Sequence, residues 1–424
     1  MKIGQVVRKY GIPVNRLYFY INNGLLVPPR RNNQYVFDDR TLGELEWILE
    51  LKEMEFPLKT IHRLLSLRRI SNYCSEEDRL ELRNIYLEHS EALRRKARAL
   101  SAARQKVLLQ MSSWEAPPSD IPRTGVPVEM LHLLCCPDCG GELALDNVAM
   151  NQTYIFQAEL HCGCGYSAAI QNGIIQTPHK NKSLYDKPDV NRELYRDLPS
   201  MTLSLFERSY RWLEERIQKM PHGNIWLESY VNAWFFFHNH LELLNERDSL
   251  IVLDKFPETL QAYKTVIERQ GAPCNILYIA DAGGALPLRH NIIDCNMDFF
   301  ATNEHNFYYS DFYLSRLLPY LKEGCRSLGV YFFFQNGTRS MNKLLHDYPE
   351  ASRDNFNVRW FLQNLERDFQ LRDTDDCGFS LDSGDNLGLG FHVRGEELHL
   401  QPYDAGLRTQ EKTARSRGIG RFQY

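Results

Sequence analysis

The chain has 424 residues, of which 43% are hydrophobic and 25% charged. This ordinary globular composition excludes a disordered or fibrous protein and, at this length, calls for two to four domains. No run of about eighteen apolar residues is present and Met1-Lys2-Ile3-Gly4 enters an amphipathic pattern directly, so neither a membrane span nor a signal core is expected and a cytoplasmic protein is. The net charge of −4 hides an asymmetry: residues 1–113 carry 20 Lys and Arg against 13 Asp and Glu, a basic front suited to a polyanion ahead of an acidic remainder.

In residues 2–10, Ile3, Val6 and Val7 share one helical face and Gly11 supplies a stop. Pro13 opens a second helix that turns Val14, Leu17 and Ile21 inward and ends at Asn23-Gly24. Two short helices joined by Gly-Ile-Pro make a helix-turn-helix. The outward positions Asn15, Arg16, Tyr18 and Tyr20 are donors able to reach phosphates and base edges. Residues 30–37 read as a two-stranded wing with a polar turn, in which Arg30, Arg31 and Tyr35 are the candidate contacts.

From Lys2-Ile3-Gly4 through Gly24-Leu25-Leu26, Pro28, Arg30 and Tyr35 to Phe56-Pro57-Leu58, Ile61 and Leu64-Leu65, the segment resembles the DNA-binding domain of MerR-family regulators. That family's arginine followed by two aromatics in the reading helix is replaced here by Tyr18-Phe19-Tyr20. The resemblance implies a winged helix-turn-helix over 1–73, double-stranded promoter DNA as partner, and RNA polymerase as the machine it serves. Residues 74–113 follow as a helical strut with Leu82, Tyr86, Leu93, Leu100, Val107 and Met111 spaced by four or seven, the pattern of a coiled-coil dimerisation helix. The resemblance implies an antiparallel homodimer. Pro117, Pro118, Pro122 and Pro127 mark 114–127 as a linker.

Residues 128–185 contain Cys136-Pro137-Asp138-Cys139 and, 22 residues after Cys139, His161-Cys162-Gly163-Cys164. Two local cysteine pairs beside glycines suit a closed structural zinc site, assigned to Cys136, Cys139, Cys162 and Cys164, with Cys135 or His161 as substitutes. The segment resembles the zinc ribbons associated with S-adenosylmethionine-dependent methyltransferases.

Residues 186–404 alternate helical and apolar strand-like runs, indicating an α/β domain with a largely parallel sheet. Three runs end in an acid, Glu228, Asp254 and Asp281, which are expected to line one crevice at the strand ends. The order resembles class I methyltransferases, which implies that the second and third acids lie near a ribose and an adenine. Where that family has glycines after its first strand, this chain has Glu228-Ser229-Tyr230-Val231-Asn232-Ala233-Trp234 and three phenylalanines. S-adenosylmethionine is therefore doubtful as cofactor and no catalytic residue is assigned. Tyr230 and Trp234, with the three acids, are instead expected to line a pocket for a flat small-molecule effector, unless the aromatics are simply core. Residues 405–424, with Arg408, Lys412, Arg415, Arg417 and Arg421, read as a basic tail.

The expected fold is therefore multidomain: an all-α winged helix-turn-helix with a coiled-coil helix, a small zinc ribbon, and a C-terminal α/β Rossmann-like methyltransferase fold. The function it suggests is a dimeric DNA-binding transcriptional regulator whose methyltransferase-like domain is repurposed for effector sensing or dimer scaffolding. The alternative is an active methyltransferase of a small molecule or RNA with a regulatory DNA-binding domain.

Overall fold

The computed structural model describes residues 1–115, 123–183, 186–193, 196–283, 285–384 and 388–408, the side chains of 112–115 excepted. Half of the expected linker (116–122), Gly284 and residues 409–424 of the expected tail lie outside them. Two compact units divide the chain, Met1–Pro117 and Pro118–Tyr424.

In the first unit, α1 (Ile3–Tyr10) stops at Gly11, whose φ of 65° lets its N–H reach the Val7 carbonyl. Helix α2 (Val14–Asn22) follows, then strands β1 (Arg30–Arg31) and β2 (Gln34–Tyr35). The turn between the strands, Asn32 and Asn33, has φ of 49° and 61°, the doubly left-handed geometry that a two-residue hairpin demands and asparagine tolerates. Helix α3 (Asp39–Glu53) is capped by the Asp38 carboxylate, which accepts from the Thr41 N–H at 2.8 Å. Helices α4 (Leu58–Ser71) and α5 (Glu76–Glu115) complete the unit. Val6, Leu17, Leu45, Ile48, Ile61 and Leu64 form its core. One expectation is corrected: Val14 is 44% exposed, whereas Tyr20 is 4% exposed. The core-facing stripe of α2 runs through Leu17 and Tyr20, three residues apart, while Val14 opens the helix before that stripe meets the core.

The second unit starts with β3 (Val126–Pro127) and the antiparallel strands β4 (Ala144–Met150), β5 (Tyr154–His161), β6 (Ser167–Gln171) and β7 (Ile174–Gln176). Helix α6 (Ser200–Ile217), β8 (Ile225–Ser229), the short α7 (Phe236–Asn239), β9 (Ser249–Asp254), α8 (Pro257–Gln270), β10 (Asn275–Ala280) and β11 (Ile293–Phe299) come next. Then follow α9 (Ala301–Tyr308), α10 (Tyr313–Leu317), β12 (Leu321–Phe334), α11 (Thr338–Asp347), α12 (Val358–Asp368), β13 (Phe369–Thr374), β14 (Phe379–Ser380) and β15 (Leu398–Leu407).

One sheet runs through the unit in the order β13-β15-β12-β11-β8-β9-β10-β7-β6-β5-β3. Strands β12, β11, β8, β9 and β10 are parallel, and β15 runs antiparallel beside β12. Outward from β8 the chain builds β9 and β10 on one side, then crosses to β11 and β12 on the other. This is the Rossmann-like methyltransferase arrangement, with its switch point between β8 and β11. Central strands are buried on both faces: Trp226, Val252 and Tyr278 join one core, Leu227, Ile251 and Leu277 the other.

The cysteine-bearing strands are not a free-standing module. Strand β7 pairs in parallel with β10, and Ile155, Leu160, Ile170 and Ile175 share a core with Leu277 and Ile279. The expected boundary at 185 thus falls within one continuous sheet. Residues 405–407, expected to open a tail, belong instead to β15, where Ala405 is buried. No described helix is long and apolar enough to cross a membrane.

Candidate functional site

Three places concentrate polar chemistry. The first is the exposed surface of α2 and the wing. Asn15, Arg16, Tyr18, Arg30 and Arg31 are exposed and Tyr35 is half-buried. The Tyr18 and Tyr35 rings meet edge-on at 6.3 Å, and the Arg30 guanidinium lies 4.5 Å from the Tyr35 ring centre while donating to its hydroxyl. Helix and wing therefore form one surface, in which Arg30 is pre-positioned. Tyr20 is not on it, being interior. Two residues that the sequence reading passed over bear on this surface. Phe19 is 45% exposed and adds an apolar element. Arg69 ties the unit from behind, donating to the Gly24 carbonyl at 3.1 Å, the Leu25 carbonyl at 2.7 Å and both Glu44 carboxylate oxygens at 3.0 and 2.7 Å. No local pattern in the sequence announces such a contact across 45 positions.

The second place is the cysteine cluster. Cys136 and Cys139 lie in a turn where Gly140 donates to the Cys136 carbonyl at 2.9 Å; Cys162 and Cys164 lie in another, where Gly165 donates to the Cys162 carbonyl at 3.0 Å. Both glycines have positive φ, which a side chain would oppose. The four sulfurs all lie within 4.8 Å of one another, with Cys136–Cys164 and Cys139–Cys162 separations of 3.4 Å. Tetrahedral zinc with Zn–S bonds of about 2.3 Å sets sulfurs about 3.8 Å apart, so four sulfurs so placed can hold a metal ion. Neither substitute belongs to that group of four, and His161 lies 3.4 Å from the Glu159 carboxylate.

The third place is the crevice at the carboxyl ends of β8, β9 and β10. Tyr230, Asp254 and Asp281 line one cleft with Lys255, Tyr313 and Arg316. Glu228 and Trp234 do not. Glu228 is fully buried and accepts from the Phe236 and Phe237 N–H groups at 2.5 and 3.1 Å, capping α7; burial pushes its pKa up to about 8. Trp234 packs 4.8 Å from Phe206 and 6.0 Å from Phe299 in the core.

The acids in the cleft are engaged by the chain itself. Asp254 accepts from the Asn232 N–H at 2.7 Å and the Phe256 N–H at 2.9 Å, and burial raises its pKa to about 6. Asp281 accepts from the Thr177 hydroxyl at 2.5 Å and the Gly283 N–H at 2.9 Å, and lies 3.0 Å from His179. Tyr230 holds the left-handed φ of 54° that a glycine would take without strain, and is fixed there by a 2.7 Å contact from its hydroxyl to His305 Nδ1 and by the Tyr313 ring at 5.0 Å. Above the cleft, Lys255 bridges Asp186 and Glu304, the latter at 2.6 Å. Burial alone would lower its pKa, but the two carboxylates outweigh that and raise it. Asn232 closes the arrangement, its side chain accepting from the Asp189 N–H at 2.8 Å and the Thr259 hydroxyl at 2.9 Å. Each oxygen of Asp254 thus accepts one backbone N–H, which leaves further lone pairs of the carboxylate facing the cleft it lines.

Residues 1–67 match the family model described as MerR HTH family regulatory protein. No curated protein is similar enough to the chain to count as a match. Among solved structures, MccD protein is 10% identical over 47% of this chain and 96% of its own, with a TM-score of 0.38. Phosphoethanolamine N-methyltransferase 2 of Haemonchus contortus, in complex with phosphomonomethylethanolamine and S-adenosylhomocysteine, is 13% identical over 52% of this chain and 60% of its own, at 0.38. A SAM-dependent methyltransferase from Geobacter sulfurreducens in complex with S-adenosyl-L-homocysteine is 10% identical over 53% of this chain and 99% of its own, at 0.39. The strand order, not these scores, identifies the fold.

Proposed function

We propose that the chain is a MerR-type DNA-binding transcriptional regulator. The observation that carries this reading is the MerR helix-turn-helix match over residues 1–67 together with the exposed Asn15, Arg16, Tyr18, Arg30 and Arg31 on one surface of that unit. The regulator acts in the cytoplasm as a homodimer through α5, whose Leu100 and Val107 are 62% and 56% exposed at a seven-residue spacing. It reports to RNA polymerase by deforming promoter DNA. Cys136, Cys139, Cys162 and Cys164 hold a structural zinc.

The Rossmann-like unit is repurposed as a sensor or dimer scaffold. Supporting this, Glu228 holds the Phe236 and Phe237 amides outside the cleft, and bulky aromatics stand where the resembled family has glycines. Gel-shift with the protein's own upstream DNA tests the regulator reading, and absence of binding by the folded dimer at moderate salt contradicts it. Calorimetry with S-adenosylmethionine tests the second point: no heat of binding is expected, and micromolar binding restores the enzyme reading.

A further inference from the structure

Beside the crevice lies a larger cavity, with about 1340 Å³ of empty space open to solvent. It is walled by Phe300 and residues of α9 and β12 and roofed by the 186–193 segment. Aromatic rings line it, among them Phe307, Tyr308, Phe332 and Phe356, together with the carboxylates of Asp186, Asp189, Glu193 and Glu304, the last on the same helix as Phe307 and Tyr308. No sequence pattern announces it, because its residues come from segments up to two hundred positions apart.

Acids outnumber bases along its lining: Asp186, Asp189, Glu193 and Glu304 stand with Lys187, and Asp189 lies 3.5 Å from the Arg192 guanidinium. Lys255 is the ammonium shared by Asp186 and Glu304, and the Asp254 carboxylate is buried next to it in the chain. Burial and the facing Glu304 push the Asp186 pKa up to about 7, the mark of surplus negative charge in a confined place. Among the described residues no hydrogen bond reaches the second carboxylate oxygen of Glu304, whose side chain keeps 21% exposure. An anion would be repelled here, and a neutral apolar body would strip water from Glu304 without replacing it. A cation suits both kinds of lining group, since ring faces carry partial negative charge.

We propose that this cavity binds an organic cation, an ammonium or quaternary ammonium on an apolar or aromatic body, with Glu304 as counter-ion and the Phe307 and Tyr308 side of the cavity as its seat. This deepens the sensor reading of the unit. The test uses the full-length protein and calorimetric titration with 4-phenylbutyltrimethylammonium and its uncharged isostere, in which a tert-butyl carbon replaces the nitrogen. Saturable binding of the cation at least about tenfold tighter than the isostere is expected. Glu304→Gln is expected to remove about tenfold from the cation and nothing from the isostere. Because Glu304 also pairs with Lys255, the melting transition of the variant is recorded. Tyr348→Leu, at the aromatic wall, is a second variant expected to weaken both ligands. Equal affinity for the two compounds, no saturable binding of either, or unchanged cation affinity in both variants overturns the proposal. DNA binding by the same preparation is read separately, so loss of cation uptake with DNA binding intact sinks the cavity alone.

Discussion

Glu228 shows how one side chain can change what a crevice is for. Its position at the end of a strand was legible in the sequence, but its partner was not: the acid does not line the cleft and caps α7 with both oxygens. Fully buried, it holds a proton in the folded chain that the unfolded chain releases above its ordinary value of 4.5. Its stabilising contribution is therefore complete below pH 4.5 and is lost as pH rises through about 8, with a slope of at most about 1.4 kcal/mol per pH unit. Urea denaturation of Glu228→Gln across that window is expected to show a flatter decline than the parent protein; an unchanged slope contradicts the assignment. Arg69 acts at the same scale in the other unit. Arg69→Ala leaves Glu44 buried without its bidentate partner, and a loss of roughly 1–3 kcal/mol in unfolding free energy is expected.

At the scale of elements, α2 and the wing act together because Tyr18, Tyr35 and Arg30 are in contact. Periodicity located both elements, and the phase of α2 decided which residues face outward: Tyr20, an expected contact, turns into the core while Phe19 turns out. Arg31→Ala is expected to lower the dependence of log affinity on log salt by about one, measured by fluorescence anisotropy on the cognate duplex, as removal of one phosphate contact requires. Tyr20→Phe should leave that slope unaltered. Leu82 and Tyr86 of helix α5 pack on the unit's own core, but its later apolar positions Leu100, Val107 and Met111 are carried into solvent, which a lone helix has no reason to do. Leu100→Glu combined with Val107→Glu is expected to convert a dimer to a monomer in sedimentation equilibrium, and an unshifted mass contradicts pairing through this face.

For the whole molecule, the cysteine cluster and the parallel sheet belong to one body, since β7 hydrogen-bonds to β10 and shares its core. Stripping metal with a chelator is therefore expected to lower the melting transition of the entire second unit, with little effect on that of the first. An unaltered second transition after verified zinc loss contradicts a structural role.

What the sequence determined by itself was local. The two glycine-flanked cysteine pairs, the Gly-Ile-Pro turn, the Asn-Asn hairpin and the strand-end acids each lie within a few residues, where backbone conformation and side-chain type decide the outcome together. Tertiary structure decided what depends on packing. It drew the cysteine strands into the large sheet, and it turned Glu228 and Asp254 onto the chain's own amides. It also gathered Phe307, Phe356 and Glu304 around an open cavity. Those contacts are fixed by how two cores pack against a shared sheet, and such packing leaves no periodicity in the chain to read.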